Sequence, residues 1–449
     1  MGQSERVRFP YPASDTATAH LTGVSTPMIT SLRLKDFKNF VDETLHLGPL
    51  TIIVGANASG KSNLRDAFQF LQGIGLGLTL SEVIDGRFGP GGQVLWSGIR
   101  GPGIELFRFK QDTFALQVSL EVDGAQVEYS IEVGKGFDSV DFFRIVREEF
   151  RVAGQWIYTS HPGVGDAVHR QGDDTHLLLR MAKGAGQRRL GHRIAVRPNQ
   201  PALTQIHEHR HILRTHKAYA AAIRSALSNM RFLDPSPERM RRPAFPGQTV
   251  LGDGGEHLPA VLKVLCEDPD LGATLTDWIN ELTPMDVQDL DFPPDFLTHE
   301  IRLAIVERDG HRVSAYGMSD GTLRFLAMLA ALLGPSTQGL MFFEEIDNGL
   351  HPSRLYLLLD LLKVTTDERQ VQVVTTTHSP AMLAKVDDDT FEDIAVVCRR
   401  SDTSSAVIRQ LADLPDAHEL RASQGMDRLH ASGWMEDMLD FEDVEQVAA

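Results

Sequence analysis

Apolar residues recur at two different periods along this chain, and the change from one period to the other predicts an α/β fold. Residues 28–37 alternate apolar and polar positions, which is typical of a strand with one solvated face. Residues 50–54 are apolar and β-branched and predict a buried strand. The apolar positions 64, 67, 68 and 71 then fall on one face of a helix.

The same two periods predict the elements in the rest of the chain. Residues 114–122 and 126–133 alternate around a turn at Gly124 and indicate an antiparallel β-lobe, which 104–109 and 142–158 are expected to extend. Helices are predicted between Ile212 and Met230, at 257–265 and at 271–282, and a hairpin at 301–307 and 312–316. Residues 73–92 are rich in glycine, and we expect them to be irregular. Residues 161–201 are polar and carry Arg188, Arg189, Arg193 and Arg197, so we expect a flexible or partner-facing region.

A glycine loop joins the buried strand to the first helix. Residues 55–62 read Gly-Ala-Asn-Ala-Ser-Gly-Lys-Ser, which is the phosphate-binding pattern G-x-x-x-x-G-K-S. Backbone N–H groups of such a loop bind phosphate oxygens together with the helix N-terminus. Lys61 is expected to reach the β- and γ-phosphates of a nucleotide, and the Ser62 hydroxyl to coordinate Mg²⁺. The predicted nucleotide-binding residues of this region are Gly55, Asn57, Ser59, Gly60, Lys61, Ser62 and Asn63.

Three later stretches supply chemistry that a phosphate loop alone lacks. The apolar strand 339–343 ends in two carboxylates. Glu344 is expected to hold Mg²⁺ directly or through water, and Glu345 to polarise the attacking water. Ser319 is predicted to cap a helix that contains Gly321, and such a helix start is a second anion-binding position. His378 ends the β-branched strand 371–377, where it is expected to contact the γ-phosphate or the water.

With these motifs in this order, the chain resembles the ABC-type ATPase heads of the RecF, SMC and OLD group, in the AAA-like branch of predicted ATPases. The resemblance covers residues 28–135 and 225–400. It identifies 55–62 as the Walker A loop, 319–322 as the signature, 340–345 as Walker B, 347–352 as the D-loop segment and His378 as the switch histidine. Asn39 matches the strand end beside the nucleotide, and Gln93 is the candidate for the Q-loop. Glu344 departs from the usual aspartate by one methylene.

The resemblance implies a P-loop ABC-type ATPase head with an antiparallel β-lobe, a mixed central sheet flanked by helices, and a helical insertion. The expected segments are a disordered leader (1–27), the N-terminal half of the head (28–135), a partly helical insertion (136–260), the C-terminal half (261–410) and an acidic tail (411–449). A homodimer or higher homo-oligomer is also implied. In it, Ser319 and Gly321 of one subunit complete the ATP site formed by Lys61 and Glu345 of the other.

Composition limits the partners that are expected. The formal net charge is −17, from 44 basic and 61 acidic residues, and disfavours nucleic acid. Cys266 and Cys398 are too few for a disulfide framework and suit a reducing cytosol. No apolar run is long enough to predict a membrane span, and residues 1–27 lack the apolar centre of a signal peptide, so a cytoplasmic protein is expected. His207 and His211 have the spacing of a metal pair, but a solvated helix face is the favoured interpretation.

Two functions of different class follow from an ATPase of this kind. No nuclease domain is expected after His378, and a head without an effector domain resembles the ATPase subunits of bacterial anti-phage systems such as PARIS and Septu. This resemblance implies a sensor or scaffold that controls a separate nuclease or toxin. The alternative is a DNA-repair or DNA-binding ATPase of RecF type. A third interpretation, a pseudo-ATPase that binds ATP without turnover, depends on Glu344.

Overall fold

A computed structural model describes residues 27–136, 142–160, 176–182, 190–208, 212–334, 339–369, 371–400, 403, 405–431 and 434. The predicted leader, apart from residue 27, lies outside the described residues. Contacts divide the described residues into two units. The first unit lies within 27–230 and 387–434, and the second unit lies within 231–386.

The strands are, in chain order, β1 (Met28–Lys35), β2 (Asp42–His46), β3 (Leu50–Val54), β4 (Arg87–Phe88), β5 (Val94–Trp96), β6 (Thr113–Val122), β7 (Ala125–Lys135), β8 (Phe143–Val152), β9 (Gln155–Thr159), β10 (Leu177–Ala182), β11 (Leu190–Val196), β12 (Arg231–Leu233), β13 (Val287–Asp291), β14 (Ala304–Glu307), β15 (Arg312–Ser314), β16 (Leu340–Phe343), β17 (Gln372–Thr377), β18 (Ile394–Arg399) and β19 (Ala406–Gln410).

The α-helices are α1 (Lys61–Leu76), α2 (Leu80–Asp85), α3 (Ala202–Gln205), α4 (Arg214–Ser228), α5 (Pro237–Met240), α6 (Leu258–Cys266), α7 (Pro269–Leu282), α8 (Asp320–Leu333), α9 (Leu355–Arg369), α10 (Pro380–Leu383), α11 (Asp388–Glu392), α12 (Ala417–Gln424) and α13 (Met426–Ala431).

The first unit contains an eight-stranded antiparallel sheet in the order β11-β10-β9-β8-β7-β6-β1-β2. Its centre is the hairpin of β6 and β7, which pairs Leu116 with Ile131 and Val118 with Tyr129. All four of these side chains are buried, because the alternating pattern places every second residue on one face. The predicted antiparallel β-lobe is therefore confirmed. It also continues to residue 196, so the first part of the expected insertion belongs to this sheet.

A buried carboxylate joins this sheet to the start of α3. Glu148 is fully buried, and its carboxylate accepts hydrogen bonds from the hydroxyls of Tyr129 (3.0 Å) and Tyr158 (2.8 Å). The backbone N–H groups of Ala202 (2.7 Å) and Leu203 (2.9 Å) donate to the same carboxylate. Burial raises the pKa of Glu148, while the four donors favour its ionised form. Nothing in the local sequence marks Glu148 as the acceptor for groups so far apart.

The strand before the glycine loop is also in the first unit. All five residues of β3 are buried, as the uninterrupted apolar pattern predicts. The strand pairs in parallel with β18, through Ile53 and Ala395, and β18 pairs antiparallel with β19. α1 follows the loop and packs on α4, where a Cβ on Gly75 would lie 2.6 Å from Leu227 Cβ. The two helices thus approach closely because residue 75 has no side chain.

Two local predictions for the first unit are wrong. The segment 73–92 is largely regular, because α1 continues to Leu76 and α2 follows with a capping box between Thr79 and Glu82. The glycines at 73 and 75 allow close packing instead of ending the helix. The strand expected at 104–109 is a short 3₁₀ turn, Gly103–Leu106.

The second unit has a parallel arrangement of β12, β16 and β17. All residues of β16 and β17 are buried, and the apolar helix α8 is buried along almost its whole length. β14 and β15 form the predicted hairpin, which turns at Asp309 and Gly310, and β13 pairs on the other side of β14. The hairpin prediction is therefore confirmed.

A half-buried carboxyl in the first unit makes stability depend on pH. The Asp393 carboxylate lies against Gly48, where an added Cβ would come within 1.8 Å of Asp393 Oδ2. Burial and the nearby charge of Glu392 raise the pKa of Asp393 to about 6. The folded protein therefore holds this proton more tightly than the unfolded chain does. The resulting stability is present below about pH 4 and is lost as the pH rises through about 6.

We expect Asp393→Asn to be more stable than the wild type above pH 6, because the variant buries no charge. After allowance for solvent screening of a half-buried group, the gain is on the order of 1 kcal/mol. Urea unfolding at pH 4 and pH 8 measures it, with the exposed Asp413→Asn as the matched control. An equal effect of Asp393→Asn at both pH values would contradict the assignment.

Candidate functional site

The glycine loop between β3 and α1 holds its backbone against another strand. Gly55 has φ 152°, and a Cβ at this position would lie 2.0 Å from the carbonyl oxygen of Val397. No side chain fits such a space, so the first glycine of the pattern is required by the packing of the loop on β18. α1 begins directly after Gly60, and the first N–H groups of a helix have no acceptor within the helix. The loop and the helix N-terminus thus form an anion-binding arrangement.

Lys61 lies within this loop. Its side chain is buried, and Nζ donates to the carbonyl oxygens of Gly55 (2.6 Å) and Ala56 (2.8 Å). Ser59 Oγ is also buried and has no hydrogen-bond partner among the described residues. Asn57 and the Ser62 side chain are exposed. A positive charge and an unsatisfied hydroxyl therefore meet at a loop of backbone donors, a donor set that fits a phosphate group.

Asn39 connects the end of β1 to the glycine loop. Its amide donates to the carbonyl oxygen of Ser59 (3.3 Å), and its Oδ1 accepts from Asn63 Nδ2 (2.7 Å). Its own carbonyl oxygen accepts from the N–H of Ala406 at 2.8 Å. The structure thus brings Asn39 to both sides of Gly60, at the helix end of the loop.

A second set of polar side chains supports the first turn of α1 and was not predicted. Asp66 is buried, and its carboxylate accepts from Lys38 Nζ (2.6 Å) and from Arg100 Nε (2.9 Å). Arg100 also donates to the carbonyl oxygen of Ser62 at 2.7 Å. The carboxylate of Asp66 is thereby paired with two cations. The sequence shows an acidic residue in the helix that follows a phosphate loop, and this was the available sign of such a cluster. The two cations that pair with Asp66 lie 28 and 34 residues away in the sequence, so they could not be identified from it.

The second unit holds the two carboxylates at the end of β16. Glu344 is half-buried and Glu345 is exposed. Glu345 has φ 49°, a conformation that is uncommon for residues other than glycine, and its N–H donates to Thr376 Oγ1 at 3.0 Å. The amide of Asn348 donates to Glu345 Oε2 at 3.4 Å. The backbone and the side chain of Glu345 are therefore both held in place.

Asp347 lies between these carboxylates and the end of β17. Burial raises the pKa of Asp347, the negative charge of Glu345 also raises it, and a hydrogen bond from Thr377 and the charge of His378 lower it. Its Oδ1 is buried without a hydrogen-bond partner among the described residues. The charges of Asp347, Glu345 and His378 therefore act on one another at the ends of two neighbouring strands.

The signature residues form the start of α8. Ser319 is the N-cap as predicted, and its Oγ accepts from the N–H of Thr322 at 3.1 Å. Gly321 and Gly349 are in backbone contact, since a Cβ on Gly321 would lie 2.3 Å from the carbonyl oxygen of Gly349. The helix start is therefore packed directly on the loop that follows the two carboxylates.

Arg241 also fixes the start of α8 and was not predicted. Its guanidinium donates to Asp320 Oδ1 (2.7 Å) and to the carbonyl oxygens of Met318 (3.2 Å) and Ala315 (3.3 Å). The residue lies 79 positions before Asp320, and no local pattern sets it apart from other arginines.

A small cavity of about 30 Å³ lies between α8 and the end of β16. Arg324, Phe343, Glu344, Glu345 and Asn348 are among its lining residues. This volume is enough for a water molecule but not for a nucleotide.

The structure gathers the predicted site residues into two groups, one in each unit. The first group comprises Asn39, Gly55, Asn57, Ser59, Gly60, Lys61, Ser62 and Asn63, and the second comprises Ser319, Gly321, Glu344, Glu345 and His378. Gln93 is exposed in the turn between β4 and β5, and its role in a Q-loop stays a prediction.

Two further features are absent from the described part of the chain. There, no cluster of three or more histidine, cysteine, aspartate or glutamate side chains is placed to hold a metal ion. His211 of the predicted histidine pair lies outside the described residues. No described helix is long and apolar enough to cross a membrane.

Comparison with known proteins gives the class of the chain. Residues 50–162 and 267–384, together about half of the sequence, match the family described as AAA domain, putative AbiEii toxin, Type IV TA system. The chain belongs to this family of AAA-domain proteins. No curated protein sequence matches it.

Several solved structures are similar to this chain at low sequence identity. The SMC head domain from Thermotoga maritima is 14% identical, with 85% of this chain and 98% of that chain covered and a TM-score of 0.39. An Smc head bound to the C-terminal winged-helix domain of ScpA is 15% identical, with coverages of 87% and 99% and a TM-score of 0.47. An Smc head with an extended coiled coil, bound to the C-terminal domain of ScpA derived from Pyrococcus furiosus, is 13% identical, with coverages of 88% and 100% and a TM-score of 0.43.

The contact between Gly321 and Gly349 predicts the effect of a single methyl group. We expect Gly321→Ala to lower the free energy of unfolding by about 1–3 kcal/mol, because its Cβ would meet backbone atoms that cannot rotate away. Chemical denaturation measures the loss. The matched control is Gly317→Ala, whose Cβ would lie at an ordinary 3.4 Å from Val313. Equal stability of the two variants would show that the close approach is not a constraint.

Proposed function

We propose that the chain binds ATP with Mg²⁺ and hydrolyses it to ADP and phosphate. The observation that carries the proposal is the loop between β3 and α1. Its backbone is kept free of a side chain at Gly55, and the Lys61 ammonium lies within it. Membership in an AAA-domain family supports the same function.

The first unit supplies the groups that bind phosphate. The first N–H groups of α1 donate to phosphate oxygens, and Lys61 neutralises their charge. The exposed Ser62 hydroxyl is an oxygen ligand of the kind that Mg²⁺ prefers, so it fits this ion, and the second unit offers the Glu344 carboxylate as a ligand of the same kind. The bound ion would neutralise charge that develops on the phosphates. Asn39 holds Ser59 and Asn63 in position on the two sides of Gly60.

The second unit supplies the group that accepts a proton. The Glu345 carboxylate is exposed, while its backbone is anchored to Thr376, so the carboxylate keeps a fixed position without being desolvated. In the proposed reaction Glu345 takes a proton from the attacking water, and His378 binds the phosphate or the water. Asp347 acts on His378 through its charge.

We expect Glu345→Gln to lower phosphate release by roughly 10²–10⁴-fold and to leave ATP binding intact, because the amide keeps the shape but cannot accept the proton. Lys61→Ala is expected to weaken ATP binding by roughly 10–100-fold, because a charge-assisted contact is lost. Phosphate release and the fluorescence of a labelled ATP measure the two effects.

The controls are substitutions of the same type at exposed positions, Glu281→Gln and Lys35→Ala. Both are expected to behave as wild type. A wild type that binds ATP without releasing phosphate would establish the pseudo-ATPase instead. Full activity of Glu345→Gln would remove this residue from the mechanism.

Two copies of the chain are proposed to assemble through ATP. Ser319 is exposed at the N-terminus of α8, where its hydroxyl and the first N–H groups of the helix suit an anion on another molecule. A phosphate bound by Lys61 of one copy would then be contacted by Ser319 and Gly321 of the other. ATP would stabilise the dimer because it binds the assembled state better than the separate copies.

We expect Glu345→Gln with ATP and Mg²⁺ to have the mass of a dimer or a larger assembly, and the same protein without ATP to be smaller. Adding Ser319→Asp should abolish this assembly, because aspartate keeps the helix cap but repels a phosphate. The control is Asp268→Ser, in which the aspartate that caps α7 is replaced by serine. Light scattering measures the masses, and one unchanged mass with and without ATP would exclude a shared site.

The role in the cell is proposed to be control of a separate effector in bacterial anti-phage defence. Its support is the resemblance to ATPase subunits of such systems and the family description, which names a putative toxin. The test is to express the variants Glu345→Gln and Glu281→Gln in cells and to measure the survival of these cells when they are challenged with phage. If only the first fails to protect, the ATPase and the defence role are linked. The alternative, a DNA-binding ATPase of RecF type, requires salt-dependent DNA binding by the purified protein.

A further inference from the structure

Basic residues are concentrated in one segment of this acidic chain. Residues 183–231 contain ten lysines and arginines and a single acidic residue, Glu208, whereas the whole chain has a formal charge of −17. Separation of charge on this scale is a feature of surfaces that bind a partner of opposite sign.

α4 displays part of this charge on one face. Successive residues of a helix are about 100° apart, so Arg214, Ala218, Ala221 and Ser225 share a face, and all four are exposed. Lys217 and Arg224 lie along one edge of that face. The opposite face is buried, and its residues are His216, Ala220, Ile223, Ala226 and Leu227.

The cations of this face have no ion-pair partner among the described side chains. Apart from Glu208, whose side chain is not described, no carboxylate of the described residues is within ion-pair distance of Arg214, Lys217 or Arg224. Arg224 Nε and His207 Nε2 are buried and have no hydrogen-bond partner within the described part of the chain, and Lys217 Nζ donates to the carbonyl oxygen of His207 at 2.9 Å. Burial and the charges of Arg224 and Lys217 lower the pKa of His207. An approaching anion would relieve the repulsion between these groups.

The centre of the face is apolar and smooth. Ala218 and Ala221 are exposed methyl groups, and residues this small allow a second helix to approach to the short end of the usual 8–10 Å range. A nucleic-acid backbone makes polar and charged contacts and gains little from methyl groups. An acidic polypeptide helix gains from both the methyl groups and the cations beside them.

We propose that this face of α4 is a docking surface for an acidic, amphipathic helix of a partner protein. Carboxylates of the partner pair with Lys217, Arg224 and Arg214, and its small apolar side chains pack on Ala218 and Ala221. The surface is independent of the proposed ATP chemistry. It lies in the same unit as the glycine loop, and α4 packs on α1, where Gly75 meets Leu227.

The test uses a synthetic helical peptide of about 20 residues, with leucine and alanine on one face and glutamate on the other, and full-length protein. Fluorescence anisotropy of the labelled peptide gives its affinity. Lys217→Glu combined with Arg224→Glu is expected to weaken binding at least about tenfold, because two attractions become repulsions. Ala221→Gln, which adds bulk without charge, is expected to weaken it severalfold.

The matched control is Arg87→Glu combined with Lys110→Glu, which makes the same change of charge at exposed positions of the same unit. This control should bind the peptide as wild type does, and thermal unfolding confirms that all variants fold. Equal weakening by the control would overturn the proposal, since binding would then follow net charge alone.

Two other occupants of the surface, nucleic acid and a second copy of the chain, would give different results in these measurements. A DNA duplex of similar length that binds more tightly than the peptide, and is insensitive to Ala221→Gln, would overturn the proposal in favour of nucleic acid. A change in the mass of the free protein on Lys217→Glu with Arg224→Glu would assign the face to a second copy of the chain. Peptide binding that depends on both Ala221 and the cations, with no change in mass, supports the acidic helix.

Discussion

Both helices that begin at a predicted phosphate-contacting motif depend on backbone packed against backbone. The loop before α1 approaches Val397 so closely that residue 55 cannot have a Cβ, and the first turn of α8 has the same relation to Gly349. Helix N-termini bind anions through N–H groups, and these groups are accessible only where no side chain covers them. The glycines of the two motifs therefore satisfy a packing requirement within the fold as well as the needs of a ligand.

The polar residues around each motif keep this backbone in place. At the first turn of α1 the Asp66 carboxylate accepts hydrogen bonds from Lys38 and Arg100. At the start of α8 the Arg241 guanidinium donates to Asp320. Such contacts hold loops that carry strained backbone, as at Glu345 with φ 49°, where the hydroxyl of Thr376 accepts the N–H. Local strain of this kind persists only where surrounding contacts fix it, and it is concentrated at functional sites.

Periodicity and motif spacing predicted the parts of the structure that are determined locally. The buried run of β3, the alternation of β6 and β7, and the cap at Ser319 each depend on neighbours in the sequence. Contacts between residues that are far apart in the sequence leave no such local pattern. Arg241 and Asp320 are 79 residues apart, and the donors to Glu148 come from three different parts of the chain. The prediction of irregular structure at Gly73 and Gly75 failed for the same reason, because these glycines allow α1 to pack closely on Val83 and Leu227.

The net charge of the whole chain is a poor guide to how its charges are distributed. A net charge of −17 argues against anionic partners only if the charge is evenly spread, and here ten cations lie within 183–231 beside one acid. At physiological salt the field of distant carboxylates is screened within roughly 8 Å, so a partner on α4 responds mainly to the residues of that helix. Because the same helix packs on α1, a contact on its outer face and a ligand at Lys61 are separated by two helices of a single unit. A partner that favours one position of α4 over another would therefore affect the loop through the side chains packed along α1.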